Sequence, residues 1–134
     1  MNKKIPSNND FTINSLIGEG TEFRGEFNIS GPLRIDGNFN GKINSSGKVY
    51  IGKKGKAGNL IIAKTVVIGG LVKGDVYAEE NILILKTAEV LGNLYSASVN
   101  MESGVIFDGD CRIFSKSDIM DLINTKRKDK FLFL

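Results

Sequence analysis

Residues 64–78 read KTVVIGGLVKGDVYA and contain the clearest copy of a pattern that recurs along the chain. Every second position is apolar or glycine, which is the two-residue period of a β-strand with one buried face. These alternating positions are Val66, Ile68, Gly70, Val72, Gly74, Val76 and Ala78. The positions between them are mixed, because Val67 and Leu71 interrupt a set that is otherwise suited to water. The stretch predicts strand structure with one face in a core.

Outward from this stretch, an apolar-x-Gly-x-apolar motif returns at intervals of roughly 17 residues. Its central glycines are Gly25, Gly41, Gly74, Gly92 and Gly109. Asn59 takes the central place in one further copy, an exchange that is compatible with left-handed backbone angles. A second landmark, an apolar-x-apolar pair, keeps the same spacing at Leu33/Ile35, Val49/Ile51, Val66/Ile68, Ile82/Ile84 and Val99/Met101. Two landmarks that stay in phase indicate an array of one repeat.

The repeat has alternation in short pieces, with Gly, Asn and Ser between them and no helical spacing, which excludes helical and leucine-rich solenoids. A turn of roughly 17 residues, at about 3.3 Å per residue, fits three short strands and three corners. One turn alone buries too little apolar surface to offset its chain entropy, so the turns must stack. We therefore predict an all-β fold, a three-sided parallel β-helix of about six turns over residues 15–114. Residues 1–14 and 115–134 are predicted to be short flexible tails.

Composition narrows the class of protein further. The 134 residues carry a formal net charge of +3, and the excess lies in the tails, so the repeat region is close to neutral. A neutral rod lacks the basic stripe of a nucleic-acid groove, and we expect no nucleic-acid partner. The start of the chain has no apolar run after its charges, and no stretch approaches the length of a membrane span. We expect a cytoplasmic protein.

Catalytic side chains are scarce. The chain has no histidine and one cysteine, which removes His-based acid–base catalysis, Ser-His and Cys-His nucleophiles and the usual metal clusters. Cys111 occupies an inward position of the repeat and is interpreted as a small core residue. No phosphate-binding loop of the GxxxxGK type is present. We predict a protein that is not an enzyme and needs no cofactor or metal.

Large aromatic residues concentrate at the two ends of the array. Phe23 and Phe27 lie in its first turn, Phe107 and Phe114 lie in its last turn and exit, and residues 40–106 contain no phenylalanine. Neither end carries a polar cap within the repeats, so strand edges and core are left open. Either the tails fold back as caps, or chains join end to end. We predict polymerisation through these four residues, with self-complementary contacts that give a filament without polarity.

The sequence also predicts an apolar strip on the rod and a short helix in the C-terminal tail. Residues 82–85 are consecutively apolar, so Leu83 and Leu85 are expected to face outward and form a strip for lateral contact, unless a tail covers them. In the C-terminal tail, Ser117 is predicted to cap a short helix with Ile119, Leu122 and Ile123 on one side.

The end of the C-terminal tail has the composition of a membrane-surface anchor, because basic residues stand next to phenylalanine and leucine. The residues of this candidate membrane contact are Lys126, Arg127, Lys128, Lys130, Phe131, Leu132, Phe133 and Leu134. The alternative, equally open, is that the final FLFL folds back onto the Leu83 strip or a terminal turn.

Six segments together resemble the bactofilins, within a likeness that spans about residues 16–114. They are IGEGTEFRGEF at residues 17–27, LRIDGNFNGKI at 33–43, VYIGKKGKAGN at 49–59, VVIGGLVKGDVYA at 66–78, TAEVLGNLYS at 87–96 and VIFDGDC at 105–111. The resemblance implies a right-handed parallel β-helix that forms nonpolar filaments without nucleotide or metal. It also implies a bacterial cytoskeletal scaffold at the inner face of the cytoplasmic membrane, which positions cell-wall-modifying enzymes and contributes to cell shape. Terminal-turn aromatics serve polymerisation in this family, and Phe107 and Phe114 stand in that region.

The same resemblance implies membrane contact through a short apolar N-terminal motif. Here Asn2, Lys3 and Lys4 follow Met1, where an apolar residue is expected, so the C-terminal residues are the stronger candidate for membrane contact.

Two other classes of protein share a β-helical fold. A hexapeptide-repeat acyltransferase relative requires an apolar residue at every sixth position and a catalytic histidine, and this chain has a longer period and no histidine. A capped binding module, for instance for glycans, predicts an aromatic or acidic groove, and the available rings are Tyr50, Tyr77 and Tyr95. If Tyr77 and Tyr95 occupy equivalent sites on neighbouring turns, their rings should stack along the rod.

Overall fold

The computed structural model describes residues 15–128, and these form twelve strands followed by one helix. The strands are β1 (Ser15–Ile17), β2 (Glu22–Ile29), β3 (Leu33–Ile35), β4 (Asn38–Ser45), β5 (Lys48–Ile51), β6 (Lys56–Ile68), β7 (Leu71–Ile84), β8 (Glu89–Leu91), β9 (Leu94–Ser96), β10 (Val99–Met101), β11 (Ile106–Asp108) and β12 (Cys111–Ile113). The helix is α1 (Lys116–Lys128). The predicted tail of residues 1–14 lies outside the described residues, as does the end of the chain from residue 129.

All strand pairs are parallel, and each strand pairs with strands one turn before or after it, which is the topology of a parallel β-helix. The first face consists of β1, β3, β5, residues 65–68, residues 81–84 and β10. The second face consists of residues 22–24, 38–40, 56–58 and 71–73 with β8 and β11. The third face consists of residues 26–29, 42–45, 60–63 and 75–78 with β9 and β12. The predicted three-sided coil of about six turns is confirmed.

Inward side chains stack in columns along the coil, as the repeat predicted. One column on the second face runs through Phe23, Phe39, Ala57, Val72, Val90 and Phe107. A column on the third face runs through Phe27, Ile43, Ile61, Val76, Leu94 and Cys111. The members in the middle turns are almost completely buried and form one continuous core.

The corner between the second and third faces needs an unusual backbone in every turn. Glycine holds it with φ between +132° and +152° in five turns, and Asn59 holds it with φ of +84° in the sixth. At Gly92 an added Cβ would collide with the carbonyl oxygen of Gly74 in the turn below. Glycine is therefore required both by the backbone angle and by the close approach of successive turns. The predicted equivalence of Asn59 with the glycines is confirmed.

Helix α1 packs along the outside of the third face. Ile119 and Ile123 are completely buried there, against a cluster that includes Ile62 and Tyr77. The helix was expected to begin at a Ser117 cap, and this is wrong. Ser115 is the cap, because its Oγ accepts a hydrogen bond from the Asp118 N–H at 3.2 Å and its carbonyl accepts one from the Ile119 N–H at 3.0 Å. Within residues 15–128, no helix is long and apolar enough to cross a membrane.

Candidate functional site

The N-terminal end of the coil includes the inward side chains of Phe23, Phe27 and Ile29 in the first turn, which are half-buried, and no described turn lies below them. The ring of Phe23 stacks on Phe39 with a centroid distance of 5.1 Å and an interplanar angle of 9°. The ring of Phe27 stands edge-on to Phe23 at 5.4 Å. Aromatic pairs of this kind keep large rings ordered at a surface. The N-terminal end is therefore a structured apolar platform.

The C-terminal end of the coil consists of the inward side chains of the last turn, Met101, Phe107, Cys111 and Ile113. Their columns continue those of Ile84, Val90, Leu94 and Ser96 in the turn below. Met101 is 42% exposed and Ile113 is 59% exposed, whereas the members of the preceding turn are buried. No described turn lies above these side chains, so the core of the rod is open at this end.

Strand edges are open at the same two places. Among the described residues, β1 and β2 each pair with one strand, in the second turn, and β10, β11 and β12 each pair with one strand, in the fifth. Each end therefore offers a row of backbone N–H and C=O groups next to apolar side chains. Such an end can accept another β-helical end by continuing both the ladder and the core.

Cys111 was expected to be a small core residue, and the structure corrects this in part. Its register with Leu94 is the predicted inward one, but the side chain is exposed because it lies in the last turn. Partial loss of solvation raises the pKa of the Cys111 thiol above its ordinary value. The raised pKa disfavours the thiolate, so the position does not have the features of a reactive cysteine.

Phe114 was grouped with the residues of the end contact, and the structure places it elsewhere. It follows β12, is half-buried, and packs in the cluster under α1 with its ring 6.3 Å from that of Tyr95. The repeat pattern ends at this point, so sequence periodicity could not say which way the ring turns. The structure brings together Phe23 with Phe27 at one end and leaves Phe107 at the other.

A second apolar cluster, separate from the core of the coil, lies between the third face and α1. Its members are Leu60, Ile62, Tyr77, Tyr95, Ala97, Phe114, Ile119, Leu122 and Ile123. Within it the rings of Tyr77 and Tyr95 stack at 4.5 Å with an interplanar angle of 13°, which confirms the predicted stacking. Tyr50 lies apart on the first face, where the Arg34 guanidinium sits 4.7 Å from its ring centroid. The tyrosines therefore do not form one continuous aromatic groove.

Sequence reasoning missed the docking of α1 on the third face, although a signal was present. Ile61, Ile62 and Ala63 are consecutive apolar residues, which is typical of a strand buried on both faces. The outward column from Ile62 through Tyr77 to Tyr95 is apolar for the same reason.

The basic residues at the end of α1 contact the rod rather than pointing uniformly into solvent. Arg127 Nε donates a hydrogen bond to Asn44 Oδ1 at 2.9 Å, and its guanidinium lies 3.4 Å from both the Ser45 carbonyl oxygen and Glu79 Oε2. The Lys126 ammonium lies 5.6 Å from the centre of the Tyr77 ring. Lys128, which also belongs to the candidate membrane contact, is exposed. Lys130, Phe131, Leu132, Phe133 and Leu134 lie outside the described residues.

The candidate lateral strip is on the first face, on a different side of the rod from α1. Leu83 follows Tyr50 and Val67 in one outward column and is half-buried, and Leu85 follows the end of β7 and is also half-buried. Helix α1 does not cover this strip, because its apolar contacts belong to the third face. Leu83 and Leu85 stay a prediction for lateral contact.

No group of three or more potential metal ligands occurs within residues 15–128. Four indentations on residues 15–128 are wide and open to solvent, and neither histidine nor cysteine lines any of these four. The arrangement that the described residues offer is a rod with two structured, open, apolar ends.

The chain was compared with models of known protein families. Residues 15–112 match the family described as Bactofilin, polymer-forming cytoskeletal. No curated protein sequence gave a significant match.

Two solved structures are similar to this chain. One is the cryo-electron microscopy reconstruction of Thermus thermophilus bactofilin double helical filaments, with a TM-score of 0.70 and 28% identity, over 75% of this chain and 99% of that one. The other is the crystal structure of a point mutant of the Thermus thermophilus bactofilin, with a TM-score of 0.63 and 30% identity, over 68% of this chain and 100% of that one.

Proposed function

The chain belongs to the bactofilin family of polymer-forming cytoskeletal proteins, and from that premise we propose that it polymerises end to end through the first and last turns of its coil. Head-to-head contacts between N-terminal ends alternate with tail-to-tail contacts between C-terminal ends, and the filament has no polarity. Assembly needs neither nucleotide nor metal, since each contact is made by strand edges and apolar side chains. One observation carries this proposal: in the last turn Met101, Cys111 and Ile113 are exposed and Phe107 is half-buried, while the residues below them in the same columns are buried.

The physical basis is the same as that for stacking turns within one chain. Joining two ends covers about five inward side chains on each partner and pairs strand edges that are otherwise hydrated. Phe23 and Phe27 are proposed to contribute at one end and Phe107 at the other. These contacts replace the capping turn that a monomeric solenoid requires.

We further propose that the filament is cytoplasmic and lies at the inner face of the cytoplasmic membrane, where it positions cell-wall-modifying enzymes and contributes to cell shape. The composition of the C-terminal segment supports a membrane contact, because Lys128 and Lys130 neighbour the apolar residues Phe131, Leu132, Phe133 and Leu134. Four apolar residues give weak, reversible binding to a single chain. A filament multiplies such contacts, so its avidity for the membrane exceeds that of the monomer.

The assembly proposal is tested by negative-stain electron microscopy of the purified protein in the presence of a chelator and without nucleotide. We expect uniform thin filaments. Compact particles of constant size under these conditions would argue that the ends are capped and that the protein does not polymerise alone.

The membrane proposal is tested by co-sedimentation with vesicles that contain anionic lipid. Truncation after Lys128 leaves the contacts of Arg127 intact, and we expect it to abolish sedimentation with the vesicles. Truncated protein that sediments as well as the full chain would show that the contact lies elsewhere.

A further inference from the structure

The outside of the first face carries a short apolar strip, here called the first-face strip, which consists of Tyr50, Val67, Leu83 and Leu85. The first three occupy one outward column in successive turns. Leu85 lies beside this column and covers Gly69 of the preceding turn, whose Cβ position would be 3.5 Å from Leu85 Cδ1. Val67 is 7% exposed between its neighbours, and the other three are half-buried. Helix α1 packs on the third face, away from this strip.

Basic side chains border the first-face strip along both of its long edges. Arg34 precedes Tyr50 in the same column, and its guanidinium lies 4.7 Å from the centre of the Tyr50 ring. Lys48 stands at one edge of the face, and Lys53 and Lys86 stand at the corner that forms the opposite edge. All three lysines are exposed, and within residues 15–128 none of them makes an ion pair.

The acidic side chains near the strip do not cancel this charge. Three ion pairs around the face are each neutral overall: Arg34–Asp36, Lys54–Glu19 and Lys64–Glu80. Among the described residues of this face, Glu102 of the last turn is the remaining carboxylate, and it accepts a hydrogen bond from the Lys86 backbone N–H at 2.8 Å. One carboxylate therefore stands against the ammonium groups of three lysines, and the border of the strip is net positive.

We propose that the first face lies against anionic lipid headgroups, with the first-face strip at the headgroup boundary and Lys48, Lys53 and Lys86 beside lipid phosphates. Tyrosine and leucine next to lysine are the side chains that suit such a boundary, because each offers an apolar body or stem and the polar tips stay hydrated. A second copy fits the same face less well. In either two-fold arrangement of two rods face to face, the lysine edges of one copy meet those of the other, and like charges repel.

This inference rests on the proposed function and deepens it, because it names the side of the filament that meets the membrane. A two-fold axis perpendicular to the first face keeps that face on the same side of both chains, so a filament without polarity can present it as one continuous side. The strip is short, so one chain binds weakly, and the polymer binds through many faces at once.

The placement of the face is tested with a nitroxide label on Leu83→Cys in a Cys111→Ser background. Vesicles contain equal parts of phosphatidylglycerol and phosphatidylcholine. On their addition, we expect the label to lose accessibility to a water-soluble nickel complex and to gain accessibility to oxygen, both measured by electron paramagnetic resonance. The matched control is a label on Lys73→Cys, an exposed position of the second face, and it should not change.

Two results of the labelling experiment would overturn the proposal. The first is an equal change, or no change, at both labels when vesicles are added. The second is a loss of accessibility at residue 83 that occurs without vesicles as filaments form, which would assign the face to a second copy.

The charge requirement is tested in the full chain with the double substitution Lys48→Glu and Lys53→Glu. We expect filaments as in the wild type, and about tenfold more lipid should be needed for half-maximal co-sedimentation. Lys56→Glu with Lys73→Glu makes the same change of charge at exposed positions of the second face and should have a clearly smaller effect. Equal effects of the two double variants would overturn the assignment to the first face.

This experiment also separates the first-face contact from the proposed C-terminal contact. Binding that is lost on truncation after Lys128 but kept in the Lys48/Lys53 variant would overturn the first-face contact alone. Binding that is kept on truncation but lost in that variant would overturn the C-terminal contact alone. A wild-type chain that does not sediment with the vesicles would overturn both contacts, whereas filaments in the electron microscope would still support assembly.

Discussion

At each corner of the coil, the backbone angle and the turn below limit which residue type can occupy the position. Five corners use glycine at φ values that side-chain-bearing residues rarely adopt, whereas the corner of Asn59 has φ of +84°, which asparagine tolerates. Asn59 also donates a hydrogen bond from Nδ2 to Asn40 Oδ1 at 2.7 Å, so its side chain links two successive turns of the coil. The exception to the glycine rule therefore has a local physical reason.

The glycine requirement is testable at Gly92. We expect Gly92→Ala to destabilise the fold by about 3 kcal/mol, because the new Cβ meets the Gly74 carbonyl oxygen and φ is +152°. Gly18→Ala is the control, since nothing lies within 4 Å of its Cβ position, and it should change stability by less than about 0.5 kcal/mol. Urea unfolding followed by circular dichroism measures both. Similar midpoints for the two variants would contradict the close approach of the turns.

The raised pKa of Tyr77 predicts that the stability of the fold depends on pH in the alkaline range. Burial, with smaller contributions from Tyr95 and Asp75, raises the pKa of the Tyr77 phenol above its ordinary value of about 10. The neutral phenol is favoured in the folded state, so its contribution to stability is complete below about pH 10 and is lost as the pH rises above it. Tyr77→Phe should therefore lose less stability than the wild type between about pH 9 and about pH 11. Equal losses, measured by urea unfolding, would count against this role.

At the scale of elements, the strands and α1 obtain their stability in different ways. Each inner strand has neighbours on both sides and an inward column in the core, whereas α1 is held by one apolar side and by Arg127. The Arg127–Glu79 pair is partly shielded, with side chains 26% and 21% exposed, and it shares the guanidinium with two oxygen acceptors. We therefore expect α1 to detach more readily than the coil unfolds.

The attachment of α1 is tested with Ile123→Asp. The substitution places a carboxylate in a site that is completely buried among apolar side chains, and we expect a local loss of about 3 kcal/mol. Hydrogen–deuterium exchange should then become fast across residues 116–128 while the strands of the middle turns stay protected. Asn124→Asp, which changes the exposed neighbour, should keep the protection of α1. Protection of α1 in the Ile123 variant would mean that the helix is held by other contacts.

At the scale of the whole molecule, residues 15–128 form a rod whose core is closed on its sides and open at its ends. Helix α1 packs on the third face with its own apolar residues and does not contact the strip that contains Leu83 on the first face. The proposed contacts along the axis and the predicted contact between rods therefore involve separate residues. Substitutions can address them one at a time.

End-to-end assembly is tested with Phe107→Arg. The guanidinium would have to be buried in the contact between two C-terminal ends, so we expect short soluble particles with an unchanged β-type circular dichroism spectrum. Ile106→Arg is the matched control on the same strand, because Ile106 faces outward and is already 58% exposed. It should still form filaments. Long filaments from the Phe107 variant as well would show that this residue takes no part in the joint.

Much of the coil was predictable because its information is local and repeated. The two-residue period and the spacing of the corner glycines set the inward columns, and the phenylalanines at both extremes of the array mark its first and last turns. The stacking of Tyr77 on Tyr95 follows from the same register. These features depend on residues one turn apart, so the order of the sequence alone determined them.

Tertiary structure alone decided the features that join distant parts of the chain. The periodic signal stops after β12, and nothing local states that α1 returns along the third face, that Phe114 turns toward Tyr95, or that Arg127 reaches Asn44. These placements result from an apolar surface that only exists once several turns have stacked, since Ile62, Tyr77 and Tyr95 become neighbours in the coil and not in the sequence. Cys111 is exposed for a similar reason, because burial of an inward residue requires a further turn above it.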